Sequence, residues 1–258
     1  MKFTSSTSIY KNQLDIKLLD ELKFSFFDYI NFKAKRNLSF NLYDIEKSVF
    51  ELFDNKLLGL TLNEFNNSKN ISIFKDEFKV IISKLFGEEI YDFPINVIRI
   101  FHPKINVNKL NWHQDEATWN HNLKLRKRYP FTFWIPILSS DYSTLSVEKY
   151  PRKKIYYHSY EPLQGRFKGE YNSKTKDDIM VCKNVKQGDF VSFSSATFHK
   201  TWIKEESTFD IKNKNDNFFR ISVDLRFIMP NSDELRNNTK FSNRLKLLAL
   251  KNKLVNYF

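Results

Sequence analysis

The sequence predicts an α+β fold: a helical first third packed on a barrel or jelly roll of short strands. Two observations carry this. Apolar residues recur at helical spacing through the first 90 positions, and from Ile95 onward the pattern changes to short β-like runs divided by turn residues. A third observation concerns organisation. There are no repeats, low-complexity linkers or Pro/Gly-rich hinges, so the 258 residues read as one domain. Its parts are a helical region over 1–90, a jelly-roll core over 95–229 and a C-terminal helix over 231–258.

The elements follow in order. Leu14, Leu18, Leu19, Leu22, Phe26, Tyr29 and Ile30 share one helix face, and a second helix runs from near Leu42 to Phe53. A third runs from about Ile71 to Phe86 and stops at Gly87, a residue free to adopt the left-handed cap. These apolar stripes face the core and carry no chemistry. Strands are expected at Asn96–Phe101, Phe131–Ile137, Thr144–Glu148, Ile155–His158, Met180–Val185, Phe190–Phe193 and Phe219–Met229. After Pro230 a basic, Leu-rich helix follows. It either packs on the barrel or forms a homodimer contact, and both remain open.

Composition narrows the class. The chain is 41% hydrophobic and 16% aromatic, with 26 Phe and 12 Tyr, so it has the apolar material for a packed core. No apolar run approaches the roughly 18 residues of a membrane span, and the first residues lack an apolar signal core. Cys182 is the single cysteine, which excludes intrachain disulfides and cysteine-clustered zinc and suits a cytoplasmic setting. The net charge of +12 is spread along the chain, its densest cluster being Lys124-Leu125-Arg126-Lys127-Arg128. That distribution favours a merely solvated basic surface over steering of nucleic acid or another acidic partner, and charge alone decides nothing; nucleic acid is not the expected partner.

The chemistry concentrates in a few positions. His113 and Asp115 are two apart, so on a strand they point to one side while Gln114 points away. His199 lies 84 residues beyond Asp115, after the turn Gly188-Asp189 and the strand from Phe190. His102, His121 and His158 have poorer surroundings. Two imidazoles and a carboxylate form a donor set for ferrous iron, holding one face of the ion and leaving the other for exogenous ligands. In the last strand Arg220, Ser222, Asp224 and Arg226 alternate with apolar residues and share the inward face. Arg220 and Arg226 are separated by roughly 20 Å along a strand, too far to hold one small dicarboxylate. Arg226 with Asp224 reads as a structural ion pair. Arg99 meets either an anionic substrate or solvent, and Trp112, Trp119, Trp134 and Trp202 lie close to the motifs.

This His-x-Asp, distant His and Arg-x-Ser order resembles the Fe(II)/2-oxoglutarate-dependent oxygenases, especially the phytanoyl-CoA dioxygenase-like branch, over roughly residues 95–229. The resemblance implies a double-stranded β-helix (jelly-roll, cupin-like) core. It implies His113, Asp115 and His199 as the metal ligands, with Arg220, Ser222 and Thr132 contacting 2-oxoglutarate. It also implies Fe(II), 2-oxoglutarate and molecular oxygen as cofactor and co-substrates. Oxidation of a C–H bond would accompany decarboxylation to succinate, hydroxylation being the leading outcome and desaturation or ring closure variants. Asp115 argues against halogenation, since halogenating relatives carry Gly or Ala there. Two departures stand out. Arg220 follows His199 by 21 residues where relatives have about ten, across a polar stretch from Lys204 to Asn217. The Pro-Gly-Ser-His signature is also absent near Ser143–Lys153. Arg-x-Ser followed by Arg-Phe is similar to oxygenases of bacterial carbohydrate and secondary-metabolite clusters, which implies a small polar substrate such as a sugar or nucleotide-sugar. Rival readings are a nucleic-acid or protein oxygenase of the same superfamily and a non-catalytic jelly-roll binding protein.

Overall fold

The computed structural model describes residues 6–36, 41–103, 105, 112–119, 130–152, 155–156, 158–161, 166–169, 178–204 and 219–229. The expected C-terminal helix, the polar stretch before Arg220, His121 and the basic cluster at 124–128 lie outside them.

Four helices lie within the described part of the first 86 residues: α1 (Ile16–Lys33), α2 (Leu42–Asp54), α3 (Leu58–Asn66) and α4 (Lys69–Phe86). Side chains of Asp15, Asn41 and Ser68 accept backbone N–H bonds at the starts of α1, α2 and α4. Gly87 closes α4 with φ 67°. The sequence did not anticipate α3, which has no side-chain cap and carries Gly59 in its first turn.

The strands form a six-stranded antiparallel sheet and a three-stranded one. The large sheet runs β1 (Ser8–Tyr10), β9 (Phe190–Ser194), β4 (Phe131–Leu138), β11 (Arg220–Ile228) and β2 (Tyr91–Asp92), with β3 (Val97–Phe101) also on β11. The small sheet is β10 (His199–Ile203), β5 (Ser143–Glu148) and β8 (Ile179–Val181). A separate hairpin joins β6 (His158–Glu161) to β7 (Arg166–Gly169). Residues 155–156 are not strand, and β8 ends at Val181, so two expected strands are displaced or shortened.

Alternation sorts the large sheet's faces. Phe133, Ile135, Ile137, Ile221, Val223, Leu225 and Phe227 join the helices in one apolar cluster. Trp134, Val191 and Phe193 point the other way and pack with Leu145, Val147, Cys182 and Val185 of the small-sheet side. The two sheets therefore face each other across a second core. Cys182 is buried there, and burial pushes its thiol up to about 12, leaving it inert at neutral pH. Lys75 of α4 is buried on the helix side, donating to the Phe93 carbonyl at 2.5 Å with its ammonium 5.2 Å from the Phe227 ring.

Gly188, with φ 97°, makes the turn into β9, and a Cβ there would meet Ile16 Cδ1 at 3.2 Å. Asp189 beside it accepts from Lys11 Nζ and from the backbone N–H groups of Asn12 and Lys186 at 2.8–3.0 Å. The Gly-Asp pair thus fastens the N-terminal strand to the start of β9. Among the described residues no helix is long and apolar enough to cross a membrane.

Candidate metal centre and buried arginine face

The backbone brings the two histidines together. His113 N donates to His199 O at 3.0 Å and His199 N donates to His113 O at 2.9 Å, which sets the imidazole centroids 4.1 Å apart. Asp115 is not on a strand with His113; it begins the short helix α5 (Asp115–Trp119). Gln114 is correspondingly not a free position. It is fully buried, donates to Ala196 O at 2.7 Å and accepts from Tyr156 N at 2.8 Å. Glu116 adds a backbone bond to Ser195 O and accepts from the Ser195 hydroxyl at 3.1 Å. These contacts lock α5 onto the turn before His199.

Donor atoms of His113, Asp115 and His199 all lie within 4.8 Å of one another, and all three residues are buried. His113 Nε2 is 3.7 Å and His199 Nε2 3.6 Å from Asp115 Oδ1. A cation about 2.1 Å from each donor spans such separations. His199 Nδ1 lies 3.1 Å from the Thr197 carbonyl, a contact that protonates Nδ1 and turns the Nε2 lone pair toward the cluster. The residues fit a divalent transition metal of the kind two imidazoles and a carboxylate select.

Asp115 offers one oxygen to this cluster and gives the other away. Its Oδ2 accepts from Arg226 Nη2 at 2.9 Å, Arg226 Nε at 3.1 Å and the Thr132 hydroxyl at 2.7 Å. Burial opposes ionisation of Asp115, yet Arg226, then His199 and His113, hold its carboxyl well below the usual carboxylate range. Arg226 keeps the expected ion pair with Asp224, at 3.6 Å, and adds a partner that was not expected: its Nε and Nη2 donate to Asp115, while Nη1 donates to the Ile95 carbonyl at 3.4 Å. Thr132, expected at the co-substrate, places its hydroxyl on the metal-ligand candidate. Asp224 takes Arg99, whose Nε donates to Oδ2 at 2.7 Å and whose side chain is 12% exposed.

Arg220, Ser222, Asp224 and Arg226 are all buried on the inner face of β11, as the alternation requires. Three arginines there meet two aspartates, and Arg220 is the cation left over. It is 2% exposed; one of its nitrogens, Nη1, donates to the Thr144 carbonyl at 3.1 Å, and its Nε has no hydrogen-bond partner among the described residues. The hydroxyls of Ser222 and Ser143 are likewise buried without partners among the described residues. Burial first, then repulsion from Arg99, push the Arg220 guanidinium down to about 10, against attraction from Asp224. Arg220, Ser143, Thr144, Trp134 and Trp202 line a cavity of about 940 Å³. The rest of the lining comes from Lys11 and Asn12 after β1, Pro136 of β4, the β4–β5 and β8–β9 connections and Lys204 just past β10. The metal cluster and the buried guanidinium thus occupy opposite ends of the polar interior.

The sequence analysis missed the Thr132–Asp115 and Arg226–Asp115 contacts and the Ser143 hydroxyl. The first two depend on the β4–β11 register, in which Arg226 faces Thr132, and no local pattern encodes it. Trp112 is half-buried with Lys200 over its ring at 5.1 Å, and Trp134 belongs to the inter-sheet core rather than to a separate aromatic wall. The side chains of Trp119 and His158 and the expected inserted loop are not among the described parts.

No protein family matches the chain, and no curated protein matches it in sequence. Solved structures do. The epimerase SnoN from nogalamycin biosynthesis, in complex with Fe3+, alpha ketoglutarate and nogalamycin RO, superposes with TM-score 0.50 at 10% identity, covering 87% of this chain and 79% of its own. The carbocyclase SnoK of the same biosynthesis gives TM-score 0.48 at 12% identity over 93% and 86%. EvdO2 from Micromonospora carbonacea var. aurantiaca, complexed with 2-oxoglutarate, gives 0.39 at 16% identity over 72% and 65%. The chain spans less than two thirds of the EvdO2 structure. The SnoN superposition establishes a shared fold, helices packed on antiparallel sheets, and nothing finer.

Proposed function

We propose that the chain is a non-haem Fe(II)/2-oxoglutarate-dependent oxygenase built on a double-stranded β-helix. The observation that carries this is the division of the buried polar interior. A three-residue donor set for a divalent metal lies at one end, and an uncompensated guanidinium with two unpartnered hydroxyls lies at the other. A buried cation and neighbouring hydroxyls favour a carboxylate, and a bidentate fork with added hydroxyls suits one. In this reading His113 and His199 bind iron as neutral imidazoles and Asp115 binds through Oδ1. Arg226 and Thr132 hold the other Asp115 oxygen. Arg220, Ser222 and Ser143 take the distal carboxylate of 2-oxoglutarate.

Bound iron, oxygen and 2-oxoglutarate supply the oxidising power to break a C–H bond; the protein orients the reactants and excludes water. Phe193, with its ring 4.6 Å from that of His199, and Trp134 supply the dry wall. We assign hydroxylation of a small polar substrate, a sugar or nucleotide-sugar, as the outcome. The strand motif of Arg220, Ser222, Arg226 and Phe227 supports that substrate class, and SnoN and SnoK are named for secondary-metabolite chemistry. Anaerobic addition of Fe(II) and 2-oxoglutarate should give a visible metal-to-ligand charge-transfer band, lost in His113→Ala. Absence of the band, with no succinate formed in air, would leave a ligand-binding jelly roll as the better description.

A further inference from the structure

The Arg99–Asp224 pair is used by neither half of the proposed site, yet it lies between them. Asp224 is two strand positions from Arg226 and four from Arg220, roughly 7 Å and 13 Å along β11, on the same inner face as both. Its Oδ2 accepts from Arg99 at 2.7 Å and stands 3.6 Å from Arg226 Nη2, which itself donates to Asp115 at 2.9 Å. Charges therefore alternate from α5 through β11 to β3: Asp115, Arg226, Asp224, Arg99. The pair is nearly enclosed, with side-chain exposures of 12% and 4%, so its charges are poorly screened by water.

We infer that the buried Arg99–Asp224 ion pair is a positioning element that balances the affinity of the His113–Asp115–His199 cluster for a divalent cation against the affinity of Arg220 for a dicarboxylate. The inference rests on the proposed reading of those two ends. While the pair is intact its charges largely cancel at both ends. Arg99 and Asp224 act on Arg220 with opposite signs, as the direction of each contribution to its titration shows. Removing either partner leaves the other as a net charge inside a low-dielectric interior. Without Asp224, Arg226 is drawn entirely onto Asp115 and the interior gains positive potential. Cation binding weakens and dicarboxylate binding strengthens. Without Arg99, Asp224 competes with Asp115 for Arg226, and both affinities move the other way.

The test measures the two ligands separately and needs no turnover. Mn(II) affinity is read by electron paramagnetic resonance, and glutarate affinity of metal-free protein by calorimetry. Glutarate keeps the two carboxylates of 2-oxoglutarate and lacks the chelating keto group. Asp224→Asn should weaken Mn(II) and tighten glutarate by about tenfold each, and Arg99→Met should do the reverse. The double variant should return both constants to near those of the wild type. A merely structural pair would weaken both ligands in both single variants, and that result overturns the inference. Should a single variant fail to fold, Arg99→Lys and Asp224→Glu preserve the charges. Both affinities should then hold within about threefold, and loss of both counts against the pair's role. Wild-type protein that binds neither Mn(II) nor glutarate would instead refute the underlying site, a result distinguishable from either of these.

Discussion

Arg220 and Arg226 lie six residues apart on the same strand and the same inner face, and each is 2% exposed. Their surroundings differ completely. Arg226 has a carboxylate across two hydrogen bonds and a second one 3.6 Å away, whereas Arg220 has, among the described residues, one neutral carbonyl and the Phe101 ring 5.8 Å from its Cζ. A buried guanidinium costs folding free energy unless it is paired, so the two residues contribute to stability with opposite sign. One arginine is part of the framework that shapes the metal cluster. The other is buried with no carboxylate hydrogen-bonded to it among the described residues.

The largest effect should come from the paired residue. Arg226→Met leaves the Asp115 carboxylate buried without its guanidinium, which costs about 3–5 kcal/mol of stability. Metal affinity should fall about 10- to 100-fold as well. Chemical denaturation alongside Mn(II) titration checks both, and an unchanged midpoint would erase the contrast. Arg220→Met should do the opposite to the fold, raising stability by about 1–4 kcal/mol. The same change should remove dicarboxylate affinity by about a hundredfold while Mn(II) binding persists. A destabilised Arg220→Met would mean that its partners already satisfy it.

The smallest effect sharpens the comparison with a third buried cation, on the helix side of the sheet. Burial pushes Lys75 down to about 8 from its ordinary 10.5. Below that value the ammonium is charged in both folded and unfolded chains, and the full desolvation cost applies. As pH rises from about 8 toward 10.5 the folded protein sheds this proton first, so stability increases across that window. Lys75→Met should therefore gain on the wild type at neutral pH and lose that gain, by about 2 kcal/mol or less, near pH 10. Melting temperatures at the two pH values decide it, and a gap that widens upward would contradict the burial account.

What could be read from sequence follows from range. The inner and outer faces of β11 were legible because alternation is local, and the apolar stripes of α1, α2 and α4 were legible for the same reason. The three donor residues were found by residue type and order, and the structure does gather them. Asp115 was misplaced on a strand because a five-residue helix shows no periodicity of its own. The three-residue β1 is too short to announce itself. The Arg226–Asp224 pair is legible because i,i+2 proximity on a strand is visible, whereas the approach of residue 115 from another part of the chain is not. Partner choice among buried charges depends on register between distant strands.

The reciprocal main-chain bonds between His113 and His199 carry a further consequence. Two of the three donors are brought face to face by main-chain amides, which require no ion to form. Zinc-finger domains are different: there the metal is the keystone and its removal dissolves the fold. This chain should fold first and load afterward. Chelation would strip the ion and leave the architecture standing, with the melting point lowered only by the mass-action increment of a lost ligand. Occupancy would then be a matter of supply, set by how much metal ion is available to a protein already assembled.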